Sequence, residues 1–176
     1  MMQIKTETVQ DYRQVYDLNV VAFENREDEA RLVERIRSSE GSIPELSIVA
    51  IQDEGESANV IGHVLFSKAS VIDRDIEHPV IVLAPVAVHP DSQRQGVGQA
   101  LIREGLRRCQ ALDYGLVLLI GHPSYYPKLG FKPARPYGLE LKQFEVPDDV
   151  FMVHECIEGR LAAVKGELRY PAVFLE

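Results

Sequence analysis

Residues 93–98, Gln-Arg-Gln-Gly-Val-Gly, have the residue types and spacing to grip an anion. They follow the aliphatic run Ile81–Val88 and a break at His89-Pro-Asp-Ser92, and they precede a helical stripe of Ile102, Leu106 and Cys109. A strand therefore feeds a polar turn, and the turn opens a helix. The first N–H groups of a helix have no partner inside it and sit at the positive end of its dipole. Gly96 and Gly98 remove the Cβ atoms that would hold a phosphate away from those groups, and Gln93, Arg94 and Gln95 add donors. Two glycines alone would be a convenient connection; the whole Gln-x-x-Gly-x-Gly pattern in this setting favours the anion.

Other phosphate-binding loops fit poorly. A P-loop needs Gly-Lys-Ser/Thr, and here Gln99 and Ala100 follow Gly98. A dinucleotide fold needs a third glycine near its first strand, but residue 101 is Leu and the turn is mid-chain. The net charge of −8 argues against a nucleic-acid binder. Cys109 and Cys156 form no metal spacing, and no metal is expected. No apolar run reaches the ~20 residues of a membrane helix. The N-terminal residues lack the apolar core of a secretory signal, so a cytoplasmic protein is expected.

The turn resembles the acyl-CoA pyrophosphate loop of the GCN5-related N-acetyltransferases. A second signature, Leu116-Val-Leu-Leu-Ile-Gly-His-Pro-Ser-Tyr-Tyr-Pro-Lys-Leu-Gly-Phe131, resembles that family's second CoA-contacting segment. Its Gly-His-Pro-Ser-Tyr-Tyr stretch is most similar to the bacterial YhbS-like acetyltransferases. The resemblance covers residues 3–135 well and 136–176 loosely. It implies one N-acetyltransferase domain over residues 1–176, whose C-terminal strands complete the sheet and the acceptor side. It also implies acetyl-CoA as cosubstrate and a small-molecule or peptide amine as acceptor. Monomer and homodimer are both ordinary for such a chain.

Acetyl transfer from a thioester to an amine requires a neutral amine, a donor to the carbonyl oxygen and a proton for the departing thiolate. The resemblance implies main-chain contacts from Val86, Ala87 and Val88 to the pantetheine and acyl group; Pro85 has no N–H to offer. It implies contacts from Gln93, Arg94, Gln95, Gly96, Val97, Gly98, Gln99 and Ala100 to the diphosphate. It further implies Lys128 beside the cofactor and Tyr126 as the general acid, while Ser124 would either bind the pantetheine or cap the short helix. For the base, Glu24 in the helix–helix connection comes first, with His63, His89, His122 or a water chain as alternatives. A rival reading is an acyl-CoA-binding sensor domain without catalysis.

The elements that must position these residues follow from periodicity. Residues 3–7 read as a strand. Thr8-Val-Gln-Asp11 resembles a capping box before a helix carrying Tyr12, Val15, Tyr16, Asn19, Ala22 and Phe23. A second helix spans about 27–38. Strands are expected at 46–52, 60–70 and 81–88, with Gly62 a bulge or a place of close approach. A helix to about 111, a strand at 116–120, a short helix near Tyr126 and strands at 150–157 and 167–174 complete the chain. The fold class is α/β (α+β): a mixed, twisted central sheet with helices on both faces. The strands 81–88 and 116–120 are expected to be parallel, since a helical crossover joins them, and the resemblance implies that they splay at the cofactor.

Overall fold

The structure, a computed structural model, describes residues 2–176. Its strands are β1 (Met2–Thr6), β2 (Ser47–Glu54), β3 (Ser57–Asp73), β4 (Ile76–Val88), β5 (Leu116–Ile120), β6 (Lys132–Pro133), β7 (Leu139–Leu141), β8 (Phe151–Glu155) and β9 (Gly166–Arg169). Its helices are α1 (Tyr12–Ala22), α2 (Asp28–Arg37), α3 (Val97–Ala111) and the short α4 (Arg160–Ala163). The sheet runs β1-β2-β3-β4-β5-β8-β6, with β9 paired to β3 and β7. All pairs given in register are antiparallel except β4–β5 and β7–β9. The fold is thus the expected mixed sheet with a parallel central pair.

The chain divides into two compact units. One takes the chain up to Phe66 together with Ala84–Gly105, and the other takes Ser67–Leu83 and Leu106–Glu176. In the first unit, Ser47–Ile51 of β2 are buried without alternation, the mark of a strand covered on both faces. α1 buries Val15, Leu18 and Asn19, and α2 buries Ala30, Val33 and Ile36, each one stripe of an amphipathic helix. Asp11 caps the entry to α1: its carboxylate accepts from the Thr8 N–H at 2.8 Å and pairs with Lys5 at 2.6 Å. Burial alone would raise that carboxyl, but Lys5 and the two bonds from Thr8 lower it on balance.

Glycines seat α3. A Cβ on Gly62 would lie 2.7 Å from Val97 Cγ1 and 2.8 Å from Leu101 Cδ1, and one on Gly105 would enter the ring of Phe66. Gly62 also borders a bulge: Ala50 pairs with Gly62 but Ile51 pairs with Val60, leaving Ile61 out of the ladder. The Ile61 carbonyl accepts instead from the His89 N–H at 2.8 Å. Both readings of Gly62 therefore hold.

In the second unit, Val71, Val80, Val82, Leu116, Leu118, Phe151, Val153 and Leu168 pack into one cluster. The β4–β5 ladder has two residue pairs, Ile81–Val117 and Val82–Leu118. β4 itself continues to Val88, through a cis peptide at Ala84–Pro85. The C-terminal portion departs from expectation. The strand expected at 167–174 ends at Arg169, because Pro171 follows and residues 172–174 turn as a 3-10 helix. Leu139–Leu141 forms an extra strand too short to show periodicity, and the turn at Tyr126–Leu129 is likewise 3-10.

Candidate active site

The connection after β4 is shaped to present backbone donors. Residues 90–92 form a 3-10 turn and Gln93 is extended. Arg94 and Gly96 then adopt left-handed conformations, at φ 63° and 82°. Nothing lies within 4 Å of a Cβ placed on Gly96, so glycine is required there by conformation and not by space. The Ala100 N–H bonds back to the Gly96 carbonyl at 3.0 Å. Among the described residues, no backbone carbonyl accepts from the N–H groups of residues 94–99. Gln93, Arg94 and Gln95 are exposed, Val97 and Gly98 are buried, and Gln99 and Ala100 are half-buried. The Gln93 amide turns back to the Val88 carbonyl at 3.3 Å, and the Gln95 amide to the Asp91 carbonyl at 3.4 Å. Val86 and Val88 are half-buried and Ala87 is buried at the end of β4.

Beside this loop, still in the first unit, lies a cavity of about 530 Å³. Asp17, Glu54, Asp91, Gln14, Asn59, His89 and Ser92 supply its polar wall, and Leu18, Val21, Val60 and Ile61 the rest. His89 Nδ1 accepts from the Asp91 N–H at 3.1 Å, which leaves Nε2 as its free nitrogen.

The other base candidates are placed very differently. Glu24 is exposed, in the left-handed region at φ 59°, just after α1. The Asn25 N–H bonds to the Val20 carbonyl at 2.9 Å, the six-to-one bond of a helix-ending turn. His63 has no exposure, and burial, then Arg37, push its imidazole down to about 3. That position suits a structural role better than proton abstraction. His122 Nδ1 accepts from the Ser124 N–H at 3.2 Å and lies 2.7 Å from the Ser124 hydroxyl. Ser124 thus already has a local partner, while Lys128 is exposed on the following turn.

Tyr126 stands in the second unit at the start of the 3-10 turn. Its ring is edge-on to Tyr125 and Phe131, and Phe131 in turn lies against His154. Burial, then the neighbouring Tyr125, push the phenol up to about 12. It is therefore a protonated group throughout the neutral range. Burial also raises both thiols, Cys109 and Cys156, which leaves neither as a ready nucleophile. Sequence reasoning missed Gly121, the residue against the Tyr126 ring; the signal was a glycine directly after the run Leu116–Ile120. Among the described residues, no group of His, Cys, Asp or Glu is placed to hold a metal, and no helix is long and apolar enough to cross a membrane.

A parallel strand pair, a glycine turn with unmet N–H groups and a half-buried, protonated phenol each suit an acyl-CoA-using transferase. The chain belongs to the acetyltransferase (GNAT) family, which matches residues 12–131. It is 32% identical over 142 residues to the uncharacterized N-acetyltransferase YhbS of Escherichia coli (strain K12), covering 81% of this chain and 80% of YhbS. It is 38% identical over 107 residues to the uncharacterized N-acetyltransferase YjhQ of the same strain; that match covers 60% of this chain and only 56% of YjhQ. Among solved structures, E. coli YhbS in complex with CoA superposes with a TM-score of 0.89 at 29% identity, covering 99% of this chain and 92% of YhbS. A GNAT family acetyltransferase from Brucella melitensis in complex with acetyl-CoA gives 0.76 at 26% identity, covering 99% and 98%.

Proposed function

We propose that the chain acts over its whole length, residues 1–176, as one N-acetyltransferase domain. It moves an acetyl group from acetyl-CoA to a primary amine by direct attack. The observation that carries this reading is the set of unmet N–H groups at residues 94–99, held open by Gly96, in a member of this family. They bind the diphosphate, with Gln93, Arg94 and Ala100 at the rim, as anions bind at helix N-termini. Main-chain groups of Val86, Ala87 and Val88 hold the pantetheine and polarise the carbonyl. Ser124 and Lys128 lie along the cofactor.

Tyr126 protonates the CoA thiolate as the tetrahedral intermediate collapses: the C–S bond breaks, sulfur takes the phenolic proton, and the amide remains. A phenol raised to about 12 keeps its proton until the thiolate develops. Glu24 takes the proton from the acceptor's ammonium group, leaving the neutral amine that attacks; its exposed position suits exchange with water. The cavity beside His89 has three carboxylates and no lysine or arginine in its lining, which favours a cationic amine as acceptor. The test is thiol release from acetyl-CoA across a panel of primary amines. Release that depends on the amine is expected. Binding of acetyl-CoA with no release on any amine would make the chain an acyl-CoA-binding domain, and absence of binding would overturn both readings.

A further inference from the structure

The Tyr126 ring has three neighbours in the second unit that decide where its hydroxyl stands. Tyr125 meets it edge-on, with centroids 4.9 Å apart and planes at 88°. Phe131 meets it at 5.7 Å and 76°. The third is Gly121, one residue past β5, whose N–H donates to the Val150 carbonyl at 2.9 Å. A Cβ on Gly121 would lie 2.8 Å from Tyr126 Cδ2 and nearer still to Cε2, whereas packed carbons rest about 3.5–4.0 Å apart. Gly121 is not among the positive-φ residues, unlike Gly130 at 88°. Its backbone therefore admits any residue, and the space taken by the phenol ring is what calls for glycine.

Resting on the proposed acid role of Tyr126, we infer that Gly121 is a positioning residue: the side chain it lacks sets the place of the Tyr126 hydroxyl, with Phe131 as a second wall of the same seat. The Tyr126 carbonyl is held by the Gly130 and Phe131 N–H groups, so an added methyl at 121 is answered by the ring and not by the backbone. Rotation about the Cα–Cβ bond moves the hydroxyl farther than Cδ2, because the hydroxyl lies farther out. A shift of about 1 Å at a reacting group costs about 100-fold in rate.

The test is a double-mutant cycle on turnover of acetyl-CoA with a saturating primary amine, below the melting temperature of every variant. Gly121→Ala is expected to lower kcat by up to about 100-fold, no further than Tyr126→Phe does, with the KM for acetyl-CoA within threefold of the parent. In the Tyr126→Phe background the same change is expected to be silent. A Gly121→Ala kcat within threefold of the parent overturns the inference, as does an equal loss in both backgrounds. Should Gly121→Ala melt below the assay temperature, Phe131→Leu takes its place: it opens the seat without adding an atom, and the same two outcomes decide. If Tyr126→Phe itself leaves kcat unchanged, the acid role fails, which is a separate result from failure of the seat.

Discussion

The Ser47 hydroxyl lies 3.0 Å from Nε2 of His63, in a part of the first unit closed to solvent. The same hydroxyl donates to Glu7 Oε1 at 2.8 Å, and Arg37 donates to Glu7 Oε2 at 2.8 Å. Ser47 has one proton and gives it to Glu7, so Nε2 of His63 carries the ring proton and Nδ1 is left buried without a partner. This imidazole titrates at about 3, below its unfolded value of 6.5. The unfolded chain therefore binds the extra proton first. His63's contribution is complete above pH 6.5 and is lost as pH falls from 6.5 toward 3, by about 1.4 kcal/mol per pH unit. Denaturant unfolding from pH 8 to pH 4 should show that slope, and His63→Gln should flatten it.

Tyr126 makes a second pH statement, with the opposite sense. In the proposed acid role Tyr126 must be protonated, and a phenol at about 12 stays so well past neutrality. The alkaline limb of kcat should therefore be flat to at least pH 10.5. Tyr126→Phe should lower kcat by roughly 100-fold or more, the usual weight of a general acid, with CoA affinity in calorimetry nearly intact. A descending limb centred near pH 8 would instead assign the proton to another group.

Gly96→Ala separates conformation from contact. A Cβ there meets nothing within 4 Å, but φ 82° is left-handed, which costs an L-residue about 1–2 kcal/mol. Stability should fall by about that amount, and CoA affinity about tenfold or more as the turn relaxes. An S-acyl pantetheine, which lacks the diphosphate, should bind parent and variant alike if residues 94–99 hold the diphosphate.

Gly62→Ala tests the seating of α3. The new methyl would press on Val97 and Leu101, and overpacking of this kind costs about 1–3 kcal/mol. Because Val97 opens α3, CoA affinity should drop with stability. Thermal melting and calorimetry on one preparation check both.

Much of this was legible in the sequence because it is local. The stretch from Ile81 to Ile102 contains its own strand, turn and helix, and the stretch from Leu116 to Phe131 contains Tyr126 and its ring neighbours. Each is written in consecutive residues, and each formed where expected. What was not legible depends on partners far apart in the chain. His63 sits in a strand whose residues 62–67 are all buried, and only Glu7, Ser47 and Arg37, brought together by folding, make it a buried neutral group. The strand expected at 167–174 failed because Pro171 outweighed the aliphatic residues around it. Leu139–Leu141 pairs with β9 over three residues, too few for a pattern to declare itself.

The unmatched Ile61 has a further consequence for how this chain tolerates changes of length. Gly62 and Val60 are two apart, yet they face consecutive partners, Ala50 and Ile51. The extra residue shifts the parity of the strand, so the rule of alternate sides restarts at that point. Deleting Ile61 would restore simple alternation with the pairing to β2 kept, because Gly62 and Val60 already face opposite sides, opposite Ala50 and Ile51. It would also remove the carbonyl that takes the His89 N–H. At the tip the case is different: Glu54 pairs with Ser57, so Gly55 and Glu56 are the whole turn, and losing either would force the hairpin out of register, which a melting curve should show as lost stability.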